Sequence, residues 1–184
     1  MDTDEFWAVI AAARADIGPD RPFHKALGER LTGLGVPAIL AFQERYEHLH
    51  RELERWDVWA AGYLIGGGCS DDGFIDFRAG LIALGRDWYE RAAADPDGLA
   101  DHPAVADLES LWGEEPFFYE EVGYAASRAY VRLLGEDADL HRDLAPARTE
   151  RGPDMGEDFD FDDDAEMRRR LPRLAALLLE PVAG

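Results

Sequence analysis

Ile39, Phe42, Tyr46, Leu49, Leu53 and Trp56 recur at spacings of 3, 4, 3, 4 and 3 residues. A strand cannot bring such a set to one side, because its side chains alternate with a period of two. An α-helix aligns all six in one apolar stripe. Gln43, Glu44, Glu47, Arg51, Glu52 and Glu54 then cover the opposite side, and Pro37 suits the first turn. A chain with one long amphipathic helix needs other helices to cover its stripe. The rest of the sequence supplies them.

Phe6, Val9, Ile10, Ala13 and Ile17 share a face after Asp2 and Glu5, which stand at capping-box spacing; Gly18-Pro19 ends that segment. A short helix is expected at about 23–34. Residues 56–65, rich in Trp, Ala and Tyr, read as a fully buried helix after a kink near Asp57. Phe74, Phe77, Leu81, Leu84 and Trp88 again repeat at 3 and 4. Residues 94–103, ADPDGLADHP, read as a turn-rich connection. A helix over about 116–134 would point Phe118, Val122, Ala125 and Ala129 inward.

Residues 135–164 show no stable periodicity. From Glu150 to Glu166 there are nine acidic residues against Arg151 alone. A C-terminal helix at about 165–180 carries Met167, Leu171, Leu174 and Leu178, and Pro172 kinks or restarts it. With no convincing strand and no internal repeat, the expectation is an all-α fold: a single compact multi-helix domain, residues 1–184, of about six to eight helices.

Charge narrows the function. The net charge is -20. Phosphate backbones and anionic membrane surfaces attract cations, so neither nucleic acid nor membrane is an expected partner. No run approaches 18 apolar residues, and MDTDEF lacks the basic start of a secretory leader. Cys69 is the one cysteine and can form no internal disulfide. These features point to the cytoplasm. Basic proteins, cations and neutral molecules remain as partners. Acidity also serves plain solubility.

Chemistry is most concentrated in GGGCSDDGF, residues 66–74. Glycines end one helix, and Ser70 or Asp71 caps the next, with Asp72 in its first turn. Cys69 is then a small buried hydrophobe. The surplus of glycine also permits close approach of a ligand. Two aspartates at the positive helix end repel phosphate, and the Lys of a P-loop is missing. A cation, amine, guanidinium or sugar hydroxyl would suit better. Trp56, Trp59 and Tyr63 could wall such a pocket, or simply pack in the core.

Other sites read weakly. Asp158, Asp160 and Asp162 alternate as calcium ligands do, but Asp163 stands where an EF-hand needs glycine and Arg169 where it needs glutamate. The plain alternative is an acidic flank of the last helix, with Asp163 or Asp164 as cap, the following arginines folded back on it, and Phe159 and Phe161 pinning the loop. His24, His48, His50, His102 and His141 are scattered, so neither metal nor cofactor is expected. Cys69 lacks an evident histidine partner as a nucleophile. Glu120, Glu121, Asp71, Asp72 and Asp76 offer carboxylates that either converge or pair with Arg78, Arg86 or Arg128.

Trp56-Asp57, Trp59, Gly67 to Phe74, Phe77-Arg78, Gly85-Arg86 and the DPDGLAD turn at Asp95 together form a long signature. It resembles that of the bacterial domain-of-unknown-function family numbered 4240. The N-terminal DEFWAVIAAAR is similar too, and a weaker likeness runs to Pro153–Gly156 and Leu171-Pro172. The resemblance implies a compact, mostly helical bacterial domain and carries over no catalytic residue.

The expectation is therefore a cytoplasmic protein-binding or regulatory module with a basic protein partner. The absence of a recognisable catalytic constellation weighs against an enzyme. The alternative is a small-ligand-binding protein or enzyme, with a pocket of Trp56, Asp57, Trp59, Ser70, Asp71, Asp72 and Arg78 at the GGGCSDDGF helix N-terminus.

Overall fold

The computed structural model describes residues 1–106, 117–144 and 154–180. Every regular element among them is helical. They are α1 (Thr3–Ala15), α2 (Phe23–Leu34), α3 (Val36–Glu52), α4 (Trp56–Gly66), α5 (Asp71–Ala83), α6 (Arg86–Ala94), a 3-10 helix (Pro96–Asp101), α7 (Pro103–Ala106), α8 (Glu120–Gly123), α9 (Ala125–Leu134), α10 (Leu140–Asp143), α11 (Asp164–Arg170) and α12 (Pro172–Leu178). The all-α expectation holds, with more helices than the six to eight foreseen. Single-turn helices raise the number, and segments read as continuous are broken. One break falls at Tyr124; Pro116, the foreseen start of that helix, lies outside the described residues. Another falls at Leu84–Gly85, so Trp88, read as continuing the α5 repeat, lies on α6. At Leu171 the C-terminal helix breaks and Pro172 restarts it, as expected.

The chain divides into two compact units: residues 1–51 with 120–152, and residues 52–119 with 153–184. In the first, the Asp2–Glu5 capping box opens α1, each side chain accepting the other residue's backbone N–H at 2.8 Å. Phe6, Trp7, Ile10 and Ala13 are buried, and Phe6 stacks on Phe42 of α3 at 4.7 Å. Ile17 lies beyond the end of α1 and is exposed, contrary to its expected place on the buried face. α2 packs against α1 and α9. Within α3 the buried stripe is Ile39, Phe42, Tyr46 and Leu49. Glu121 is ion-paired with Arg128, whose guanidinium holds that carboxyl below its usual range.

The second unit holds α4 to α7, the 3-10 helix, α11 and α12. The stripe's last members, Leu53 and Trp56, straddle a break: α3 ends at Glu52, and α4 begins at Trp56. α5 packs on α6, and α12 on the 3-10 helix and α4. Phe77 on α5 meets the rings of Phe117 and Phe118, and the Tyr119 N–H donates to the Asp76 carbonyl at 3.0 Å. This approach requires Gly80. A Cβ there would lie 2.0 Å from the Phe117 carbonyl oxygen, inside any contact distance.

The segment read as a turn-rich connection is more than that. Pro96 to Ala100 are buried. The Asp97 carboxylate, 5% exposed, accepts the Arg173 N–H at 3.1 and 3.0 Å and the Leu174 N–H at 2.9 Å. It thereby satisfies the first turn of α12, which has no side-chain cap of its own. Asp101 adds surface pairs to Arg91 and Arg173.

Candidate functional site

α4 ends where glycine is needed. Gly67 is left-handed (φ 64°) and Gly68 also has positive φ (129°), a region that L side chains rarely adopt. The Gly68 N–H closes on the Tyr63 carbonyl at 2.8 Å and the Gly67 N–H on Leu64 at 3.4 Å, the pairing of a Schellman ending. Gly66 has a separate reason: a Cβ would lie 2.7 Å from the Phe118 ring. The glycine surplus is thus accounted for by chain geometry.

The next helix then starts on Ser70. Its Oγ accepts the Gly73 N–H at 3.1 Å, so the cap is Ser70 rather than Asp71. Asp71 and Asp72 lie exposed in the first turn, where the helix dipole favours them. Ile75, one turn on from both, is 48% exposed.

Behind this start stands an aromatic column. Trp56 and Trp59 stack at 5.3 Å with planes 6° apart, and Trp59 stacks on Phe74 at 4.7 Å and 8°. The Arg78 guanidinium lies 4.6 Å from the centre of the Phe74 ring. Arg78 is 6% exposed and donates to Glu54 at 3.2 Å. The Trp59 indole N–H donates to the Cys69 carbonyl at 2.9 Å, which ties the loop to α4. Asp57 faces Arg55 through two hydrogen bonds of 3.0 and 2.9 Å. Of the seven residues read as a site, Trp56, Trp59 and Arg78 share one column through Phe74. Ser70 caps, Asp71 and Asp72 face outward, and Asp57 is bound to Arg55. Phe74, which belongs to the signature and the apolar repeat, and Glu54, on the polar side of a helix, complete the column; nothing in the sequence marked either for that place.

α4 itself corrects the sequence reading. Its Val58, Ala60, Ala61, Leu64 and Ile65 are buried, but Trp56, Trp59 and Tyr63 are only half-buried. The acidic segment lies across them. Phe161 meets Trp56, Trp59 and Tyr63 at 6.0, 6.1 and 5.5 Å. Tyr63 donates its hydroxyl proton to Asp162, and the Trp56 N–H donates to the Met155 carbonyl at 3.0 Å. The bond to Asp162 raises the phenol's pKa, since ionising it would set two anions together. Phe161 therefore pins the segment, and Phe159 packs against Phe161 at 5.1 Å.

The carboxylates of that segment serve backbone and arginine. Asp160 accepts the Asp162 N–H at 2.9 Å, and Asp163 caps α11 by accepting the Ala165 and Glu166 N–H groups. Arg170 reaches Glu157 and Glu166. Among the described residues no three His, Cys, Asp or Glu side chains gather as a metal ion requires. Cys69 is half-exposed rather than buried outright, and desolvation pushes its thiol up to about 11. It is a neutral thiol at physiological pH, the opposite of an activated nucleophile.

A family model described as a protein of unknown function, DUF4240, matches residues 1–132, well over half of the chain. No curated protein and no solved structure matches it significantly. No helix among the described residues is long and apolar enough to cross a membrane.

Proposed function

We propose, for a chain that belongs to the DUF4240 family, a protein-binding role: a cytoplasmic regulatory module that docks a basic protein. The observation that supports it is the outer face of α5. Ser70 takes over the capping, so Asp71 and Asp72 keep their charge toward solvent, and Ile75 shares their face at spacings of four and three. An exposed apolar side chain beside two carboxylates suits a partner helix or strand with Lys or Arg around an apolar anchor. The net charge of -20 steers such a partner in and turns away nucleic acid and anionic membranes. The small-ligand alternative would have to use the same aspartates, because the aromatic column beside them is filled by Phe74 and Arg78.

The test is capture from cytoplasmic extract with the wild-type chain and an Asp71→Lys, Asp72→Lys double variant, followed by titration of the purified partner. The expected result is a basic protein retained by the wild type, lost by the double variant and released by salt. A partner that binds both proteins equally would reject this face. A metal, amine or sugar that raises the melting temperature, and fails to do so with Asp71→Asn, would favour the small-ligand reading.

A further inference from the structure

The outward face of α4 and the segment across it have opposite chemistries. The face offers the rings of Trp56, Trp59 and Tyr63, and two hydrogen-bond donors, the backbone N–H of Trp56 and the Tyr63 hydroxyl. Arg170, on α11, adds a third. The segment offers the rings of Phe159 and Phe161, and acceptors: the Met155 carbonyl and the carboxylates of Glu157 and Asp162. Each donor meets an acceptor. Trp56 N–H reaches Met155 at 3.0 Å, Tyr63 reaches Asp162, and Arg170 reaches Glu157 at 2.9 Å while lying 4.1 Å over the Phe159 ring.

Two further features set this contact apart from ordinary packing. Residues 154–160 have no helix or strand of their own, and Asp154, Glu157, Asp158 and Asp160 stand exposed at short intervals. Like charges so spaced repel one another, which weakens the hold of the segment. The α4 face also lies inside the residues matched by the family, whereas the segment lies beyond them. The face is built by one part of the chain and covered by another.

We propose that the α4 face is a docking shelf for an extended segment that alternates aromatic and acidic residues, and that residues 154–163 occupy it in cis as a competitor. A partner carrying such a segment binds where Phe161 now sits. The tethered strap competes at an effective concentration on the order of millimolar, so a free segment gains the shelf only when the strap is weakened. The partner chemistry differs from that proposed for the acidic face of α5, which adjoins the shelf through the Trp59–Phe74 stack.

The probe is a fluorescently labelled peptide with the sequence of residues 156–164, GEDFDFDDD, read by anisotropy. Phe161→Ala protein should bind it at least about tenfold tighter than wild type. A peptide with both phenylalanines replaced by alanine should lose that gain, and Tyr63→Phe added to Phe161→Ala should weaken binding. If Phe161→Ala keeps its circular dichroism spectrum but binds no better than wild type, or binds both peptides alike, the proposal is overturned. Should Phe161→Ala fail to fold, Asp162→Asn carries the same comparison: tighter peptide binding than wild type is expected, and equal binding overturns the proposal. Because the peptide is acidic, neither result bears on the basic partner of α5.

Discussion

α5 and α12 face the same problem and solve it at different range. Each helix begins with backbone N–H groups that have no partner inside the helix. At α5 the acceptor is Ser70, three residues from the Gly73 N–H it takes, in an exposed setting. At α12 the acceptor is Asp97, 76 residues before the Arg173 N–H and buried. The local solution leaves its neighbours Asp71 and Asp72 available to solvent. The remote one turns a cap into a clamp between the 3-10 helix and the C-terminal helix. A local cap tunes a helix; a remote cap holds a fold together.

The sharpest way to break this contrast is Asp97→Ala. It strands the buried Leu174 N–H and the part-buried Arg173 N–H, so unfolding free energy should fall by about 3 kcal/mol, read from urea denaturation. Asp97→Asn keeps an acceptor and should recover part of that loss. Ser70→Ala should cost about 1 kcal/mol. If the Ser70 loss equals the Asp97 loss, range does not matter and the comparison fails. Asp71→Ala, one residue on, should leave the midpoint indistinguishable from wild type; a loss as large as that of Ser70→Ala would move the cap to Asp71.

A slight effect belongs to a third helix start, at α11. Hydrogen bonds from Arg169 and Arg170 hold the Glu166 carboxyl down to about 2 from its ordinary 4.5. A folded value below the unfolded one means the contribution is present above pH 4.5 and lost as pH falls toward 2. Glu166→Gln should therefore differ slightly from wild type at neutral pH and not at all near pH 2. Salt should shrink the difference, because the pairs are exposed.

Legibility in the sequence follows the same division by range. The α3 stripe as far as Leu49, the Asp2–Glu5 box, the α5 repeat as far as Leu81 and the break at Pro172 all rest on neighbours within four residues, and all could be read. Ser70 and Asp71 are adjacent and both good caps, so spacing alone left the choice open until the Gly73 N–H was located. The outward face of α4 read as buried because Trp and Tyr are usually covered. What covers them is Phe161, about 100 residues on, and no local pattern links the two. Asp97 was one polar residue in a turn-rich stretch, with nothing nearby to mark it as a clamp.

Gly80 sets one more consequence, in the language of coding. The Phe117 carbonyl oxygen stands where a side chain's first carbon would go. Position 80 is thus written in an alphabet of a single letter, whatever its neighbours say. Most core positions tolerate synonyms of similar volume; this one has none. A library randomised along α5 should return every other site with spelling variants, and this site with glycine alone.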